Sequence, residues 1–138
     1  MDIIKLEGED KRLYDLVAHL VMDEEVLAYN LNYPYKTSFD YVWFVAVTDT
    51  GDTLGFMPVK LEENKARINN YYIADDDGLV FSALLKEIVN TLSSDYEIES
   101  VAQIQHIPNF EQHGFTVVLY WKRYVKMKVI RKDEEECL

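Results

Sequence analysis

The stretch that decides the fold is "NNYYIADDDGLVFSALLKEIV", Asn69 to Val89. Its first residues read as the end of a strand and Asp75–Gly78 as a turn. The remainder reads as an amphipathic helix, because Leu79, Val80, Ala83, Leu84, Ile88 and Leu92 recur on one face of a 3.6-residue period. A strand that feeds a helix through a glycine turn makes an anion cradle, since the first backbone N–H groups of a helix lack intrahelical partners and the dipole favours negative charge there. Here Asp75, Asp76 and Asp77 stand where the anion would go. Two readings are open: a phosphate site weakened by its carboxylates, or a helix start in which an aspartate is the N-cap and nothing more.

Upstream, Tyr41–Ile73 reads as three strands, Tyr41–Thr48, Thr53–Leu61 and Ala66–Ile73. β-Branched and aromatic residues dominate them, and the "DTGD" and "EENK" turns favour an antiparallel meander. Pro58 cannot donate to a ladder and belongs at a bulge or an edge. Ile3, Ile4 and Leu6 make a first short strand, and Leu13, Leu16, Val17, Leu20 and Val21 form a helical stripe that continues through Val26, Leu27 and Ala28. This is one long helix or two, broken near Asp23. Between helix and meander, Tyr29–Tyr41 loses periodicity and holds four of the ten tyrosines, so it is a loop that lines a site or a lid packed on the core.

Downstream, "IESVAQIQ" (Ile98–Gln105) is a buried strand, "HIPNFEQHGF" a short helical turn, and "TVVLYWKRYVKMKVI" a long strand or tight hairpin. The strand–helix–strand unit has the length of a crossover connection, which predicts that Ala66–Ile73 runs parallel to Val101–Gln105. An antiparallel arrangement would point instead to a small interaction protein of another topology. The fold class is mixed α/β (α+β), with residues 1–138 forming one domain.

The 138 residues are 49% hydrophobic with only 5 Gly and 3 Pro, the composition of a folded globule. A net charge of −11 disfavours nucleic acid and anionic membrane as partners. Six basic residues between Lys122 and Lys132, followed by "DEEE", leave a local basic hairpin on an acidic body. Cys137 is the only cysteine, which excludes an internal disulfide framework and suits a reducing compartment. The acidic N-terminus lacks the features of a signal peptide and there is no apolar run of membrane-spanning length, so a cytoplasmic protein is expected. The three histidines lack metal-ligand spacing, and no metal is expected.

Three local stretches, in order and spacing, resemble the GNAT N-acetyltransferase superfamily. Tyr41–Val59 looks like its second and third strands, "YYI" followed by "SALLKEIV" looks like its fourth strand and cofactor helix, and "NFEQHGF" is similar to the segment before its last strands. The resemblance implies a GNAT-like fold and transfer of an acetyl group from acetyl-CoA to a small-molecule or peptide amine. It implies cofactor contacts from Tyr72 and Ile73 and from the turn and helix start at Gly78, Leu79, Val80 and Phe81, and an acceptor site lined by Tyr29, Tyr33 and Tyr35. The pyrophosphate loop of the family departs here: Asp76 stands at its basic position, Leu79 and Phe81 at its small ones, and Gly78 one place out of register. Asp76→Arg is therefore expected to restore an anion partner. Phe110 stands where the family commonly has a proton-donating tyrosine, which leaves His106 as the catalytic candidate, with His113 and the loop tyrosines as further substitutes. The alternative is a GNAT-fold binding or regulatory module that does not use coenzyme A.

Overall fold

The computed structural model describes residues 1–130. Cys137, the end of the basic run at Arg131 and Lys132, and the "DEEE" segment lie outside the described residues. The chain runs β1 (Asp2–Glu7), α1 (Lys11–Val21), α2 (Glu24–Tyr29), β2 (Tyr41–Val47), β3 (Thr53–Glu62), β4 (Lys65–Ile68), β5 (Tyr72–Ile73), α3 (Gly78–Leu92), β6 (Glu97–Gln103), α4 (Ile107–Glu111), β7 (Phe115–Tyr120) and β8 (Tyr124–Val129). The helical stripe is thus two helices, because the side chain of Asp23 accepts from Glu25 and Val26 N–H and starts α2.

One sheet has the order β1-β2-β3-β4-β6-β8-β7, with β5 pairing back onto β3. All pairs are antiparallel except β4 with β6, which runs parallel from Lys65↔Glu97 to Ile68↔Ser100 with α3 as the crossover. The expected parallel direction therefore holds, but the residues of β6 that pair are Glu97–Ser100 and not the expected Val101–Gln105, and the strand ends at Gln103. Gln105 falls in a 3-10 turn and not in the strand.

β2 is buried along Val42–Val47 because both of its faces are covered. Val42, Phe44 and Ala46 join the cluster under α3, and Trp43, Val45 and Val47 join the cluster under α1 and α2. In α3 the buried residues are Val80, Phe81, Leu84, Leu85, Ile88 and Leu92, whereas Leu79 is 80% exposed. The core face is turned slightly from the one expected: Phe81 and Leu85 are inside and Leu79 is outside.

The strand expected at Ala66–Ile73 is broken. β3 pairs with β4 up to Val59↔Ile68 and with β5 from Phe56↔Tyr72, so Asn69–Tyr71 bulges out by one residue, with Asn70 in the left-handed region at φ 58°. Pro58 lies opposite this break, where no ladder donor is required. The bulge switches the side-chain parity, so that Ala66 and Ile68 and then Tyr71 and Ile73 face the same core. Beyond Ile68↔Ser100, β6 leaves its neighbour, and Val101–Gln103 have no partner strand on that side among the described residues. Among the described residues no helix is long and apolar enough to cross a membrane.

Candidate active site

Where β5 and β6 part, a chain of polar groups spans the gap. The Tyr71 hydroxyl accepts from the Gln103 N–H at 3.1 Å and lies 2.6 Å from His106 Nδ1. His106 Nε2 lies 3.0 Å from an Asp76 carboxylate oxygen, and the Tyr29 hydroxyl donates to the same oxygen at 2.6 Å. Donor accounting fixes the tautomer, because a carboxylate only accepts: Nε2 carries the proton toward Asp76, and Nδ1 accepts from Tyr71. Tyr71 and His106 are buried, and the Asp76 side chain is half exposed. Burial holds His106 below the usual histidine range against the opposing charge and hydrogen bond of Asp76, so the imidazole is neutral. Burial likewise pushes Tyr71 and Tyr29 well above the usual phenol range, with the Asp76 charge adding to both.

Aromatic packing holds this chain in place. Tyr29 stacks on His106 with centroids 5.8 Å apart, and Phe81 and Tyr71 meet the imidazole at 5.1 and 5.4 Å. Phe110 packs on both Tyr71 and Phe81, so the position without a phenol lies one ring away from the Tyr71 hydroxyl.

The N-terminus of α3 closes on itself. Asp77 is the N-cap, its carboxylate accepting from Leu79 N–H at 2.9 Å and Val80 N–H at 3.2 Å, while Phe81 N–H bonds the Asp77 carbonyl at 3.0 Å. The donors on which an anion site would rest are engaged by this one residue. Asp75 and Asp76 both take positive φ, 57° and 50°, which aspartate tolerates better than most residues, and this bend carries Asp76 back toward His106. Asp76 is accordingly an acceptor for two partners, the buried His106 and the half-buried Tyr29. Replacing it with arginine would leave His106 Nε2 and the Tyr29 hydroxyl without their acceptor.

On the opposite face of the sheet a cleft of about 300 Å³ opens at the same break, between the bulge at Asn69 and Asn70, Val101 of β6, Tyr124 of β8, and Tyr33 and Lys36 of the loop. The aromatic loop divides between this cleft and the core. Tyr33 borders the cleft, whereas Tyr35 is turned under α2, its hydroxyl donating to the Val26 carbonyl and its ring 5.1 Å from Phe56. Thr37 fixes the loop to the core by accepting from Trp43 Nε1 and donating to the Gly8 carbonyl, and a side chain on Gly8 would collide with the Ser38 carbonyl.

Of the residues singled out in the sequence, the fold brings Tyr29, Phe81 and His106 together and sets Tyr72 at 5.3 Å from Tyr29. Ile73 is in the core and Gly78 opens α3 at the surface. His113 lies away from the cleft, 2.8 Å from the Ser82 hydroxyl. Tyr71, Asn30, Lys36, Asn70 and Tyr124 were not foreseen. The Asn69–Asn70 pair was the available signal for Tyr71, since asparagine favours the left-handed conformation that shifts strand parity. Among the described residues no three His, Cys, Asp or Glu side chains gather as metal ligands.

Neither a family model nor a curated protein sequence matches the chain. Solved structures do. An acyl-CoA N-acyltransferase from Pseudomonas aeruginosa superimposes with a TM-score of 0.73 at 18% identity, over 94% of this chain and 100% of that one. The chain has the GNAT N-acyltransferase fold. Escherichia coli ElaA matches it with a TM-score of 0.74 at 11% identity, over 94% of this chain and 100% of the other. The PaiA N-acetyltransferase from Thermoplasma acidophilum, solved in complex with coenzyme A, matches with a TM-score of 0.63 at 18% identity, over 95% and 100%. The parallel β4–β6 pair, its crossover helix and the parting beyond it position the residues above.

Proposed function

We propose that the protein is an N-acyltransferase that moves an acyl group from a thioester, acetyl-CoA in the simplest case, to an amine in the cleft beside Asn70. The observation that carries this reading is the parting of β5 from β6 in a sheet otherwise paired from edge to edge. Strand edges that leave each other present N–H and C=O groups to an inserted amide-bearing arm, as in strand addition. The cleft on the other face gives an amine access to the same gap. The likeness in fold to acyl-CoA N-acyltransferases supports the class of reaction.

Coenzyme A fits one half of this arrangement. Its amide-bearing arm suits the parted edges, but its diphosphate does not suit the start of α3, where Asp77 holds the two free donors. Each carboxylate about 6 Å from a phosphate would cost about 0.7 kcal/mol in water and severalfold more near the protein surface. The protein's own proton-handling group is the Tyr71–His106–Asp76 chain at the inner end of the gap. It holds a proton at the Tyr71 hydroxyl and orients it through a neutral imidazole whose tautomer Asp76 sets.

A second reading, a GNAT-fold module that does not use coenzyme A, draws on the same closed helix start. Incubating the protein with acetyl-CoA and a panel of primary amines, and measuring thiol release with the mass of the acylated product, separates the two. The proposal expects slow transfer that falls by about 10²-fold or more in His106→Ala. No product with any amine, together with no binding of acetyl-CoA at millimolar concentration, would leave the module reading as the account of this chain.

A further inference from the structure

The cleft beside Asn70 is unlike the rest of the molecule in its charge. The protein carries 25 acidic against 14 basic residues, yet among the described residues no carboxylate lines this cleft and Lys36 is its one charged side chain. Lys36 makes no salt bridge among the described residues. Two residues along β6 from Val101, the buried carboxylate of Glu99 is neutralised by Arg67 at 2.7 Å and Lys126 at 3.7 Å, so the floor of the face adds no net negative charge. Burial alone would raise Glu99, but the Arg67 hydrogen bonds and the neighbouring cations hold it below the usual carboxylate range, and it stays ionised within that cluster.

The neutral wall is also polarised. Buried Asn30 donates from Nδ2 to the Tyr33 carbonyl at 3.0 Å and to Asn70 Oδ1 at 2.9 Å. A backbone carbonyl only accepts, which fixes the Asn30 amide, and the Asn30 amide in turn fixes Asn70 with its oxygen held and its NH2 group as the free end. Lys36 and the Asn70 amide therefore offer the cleft hydrogen-bond donors, and Tyr33 and Tyr124 add hydroxyls.

We propose that this cleft selects an amine bearing a compact anionic group, a carboxylate or a phosphate, with Lys36 and the Asn70 amide as its recognition residues. Calling that ligand the acceptor rests on the acyl-transfer reading; the selectivity for an anion does not. A polyamine or a lysine side chain would meet a cation with no carboxylate to balance it, whereas an anion gains charge-assisted hydrogen bonds from groups already oriented. A cleft of about 300 Å³ suits a small molecule.

Calorimetric titration of the full chain tests this with four probes: N-acetylglycine, its neutral amide, 2-aminoethyl phosphate and 1,4-diaminobutane. One of the two anions should bind at least about tenfold more tightly than the neutral amide and the diamine, and more weakly as salt rises. The tighter anion identifies the group. Lys36→Gln should abolish the preference while leaving the weak binding of the amide, and since Lys36 is exposed the variant should fold normally. Equal affinity for anion and amide, tighter binding of the diamine, no detectable binding of either anion, or an unchanged preference in Lys36→Gln would overturn the proposal. Anion selectivity without acylation of any amine would remove the acyl-transfer reading and leave this site standing. Acylation of amines without preference for anionic ones would do the reverse.

Discussion

Replacing Asp77 by alanine tests what closes the start of α3. The change removes two hydrogen bonds, to Leu79 N–H at 2.9 Å and to Val80 N–H at 3.2 Å, and with them the N-cap of a 15-residue helix that carries much of the core. Removal of an aspartate cap costs about 1 kcal/mol, with a range of roughly 0.5 to 2. Relief of repulsion from Asp75 and Asp76 offsets part of this, because the three carboxylates are sequence neighbours and all are exposed. The net expectation is a loss of about 0.5–1 kcal/mol, equivalent to a fall in Tm of about 2–3 °C for a chain of this size. Urea unfolding should show a lower midpoint at unchanged slope, since the surface exposed on unfolding hardly changes. The same substitution frees two N–H donors at the positive end of the helix and deletes a negative charge, so pyrophosphate or acetyl-CoA should bind about tenfold more tightly than to the wild type. A loss under about 0.3 kcal/mol would mean that the carboxylate does not cap the helix in solution. Wild-type protein that binds pyrophosphate as well as the variant would refute the argument that Asp77 occupies the anion position.

Leu84 is fully buried in the cluster between α3 and the sheet, so Leu84→Ala should cost about 2–5 kcal/mol by denaturant unfolding, and a change under about 1 kcal/mol would contradict the packing described. Tyr71→Phe leaves the Gln103 N–H and His106 Nδ1 without a partner and should cost about 1–3 kcal/mol, read as a lower urea midpoint; a neutral result would mean that water reaches both groups. Burial, against the charge of Asp76, lowers His106, and burial together with Lys86 lowers His113, so both are neutral in the native state. Below the ordinary histidine pKa of about 6.5 the unfolded chain takes up protons that the native chain refuses, so stability should fall between about pH 7 and pH 5, by at most about 1.4 kcal/mol per pH unit for each histidine. A urea midpoint that is flat or rises on acidification through that window would contradict the buried, neutral assignment.

The parts of the fold that were legible in the sequence are those set by local periodicity and connection length. Leu84, Ile88 and Leu92 marked the buried face of α3, and the length of the strand–helix–strand unit required a crossover, hence the parallel pairing of β4 and β6. What was not legible depends on one backbone residue or on a distant partner. The left-handed turn at Asn70 shifts strand parity by one, which sends Tyr71 into the core and splits the expected strand. Three consecutive aspartates carry the same label in the sequence, yet only the backbone bend decides that Asp77 caps the helix while Asp76 turns back to His106 and Tyr29. The Asn30–Asn70 contact joins residues forty positions apart and leaves no trace in local pattern. Lys36 gave no signal of its own, since a lone lysine in a loop is ordinarily a solvated charge.

The central claim, that the parted edges of β5 and β6 are where a thioester donor enters, is tested most directly by mapping backbone amide shifts of the protein by NMR while acetyl-CoA is titrated in. The account predicts that the largest shifts fall on Asn69–Ile73 and on Val101–Gln103, the segments bordering the gap, with smaller ones at the start of α3, where Asp77 already engages the amides. Shifts confined to other surfaces, or none at millimolar acetyl-CoA, would contradict it.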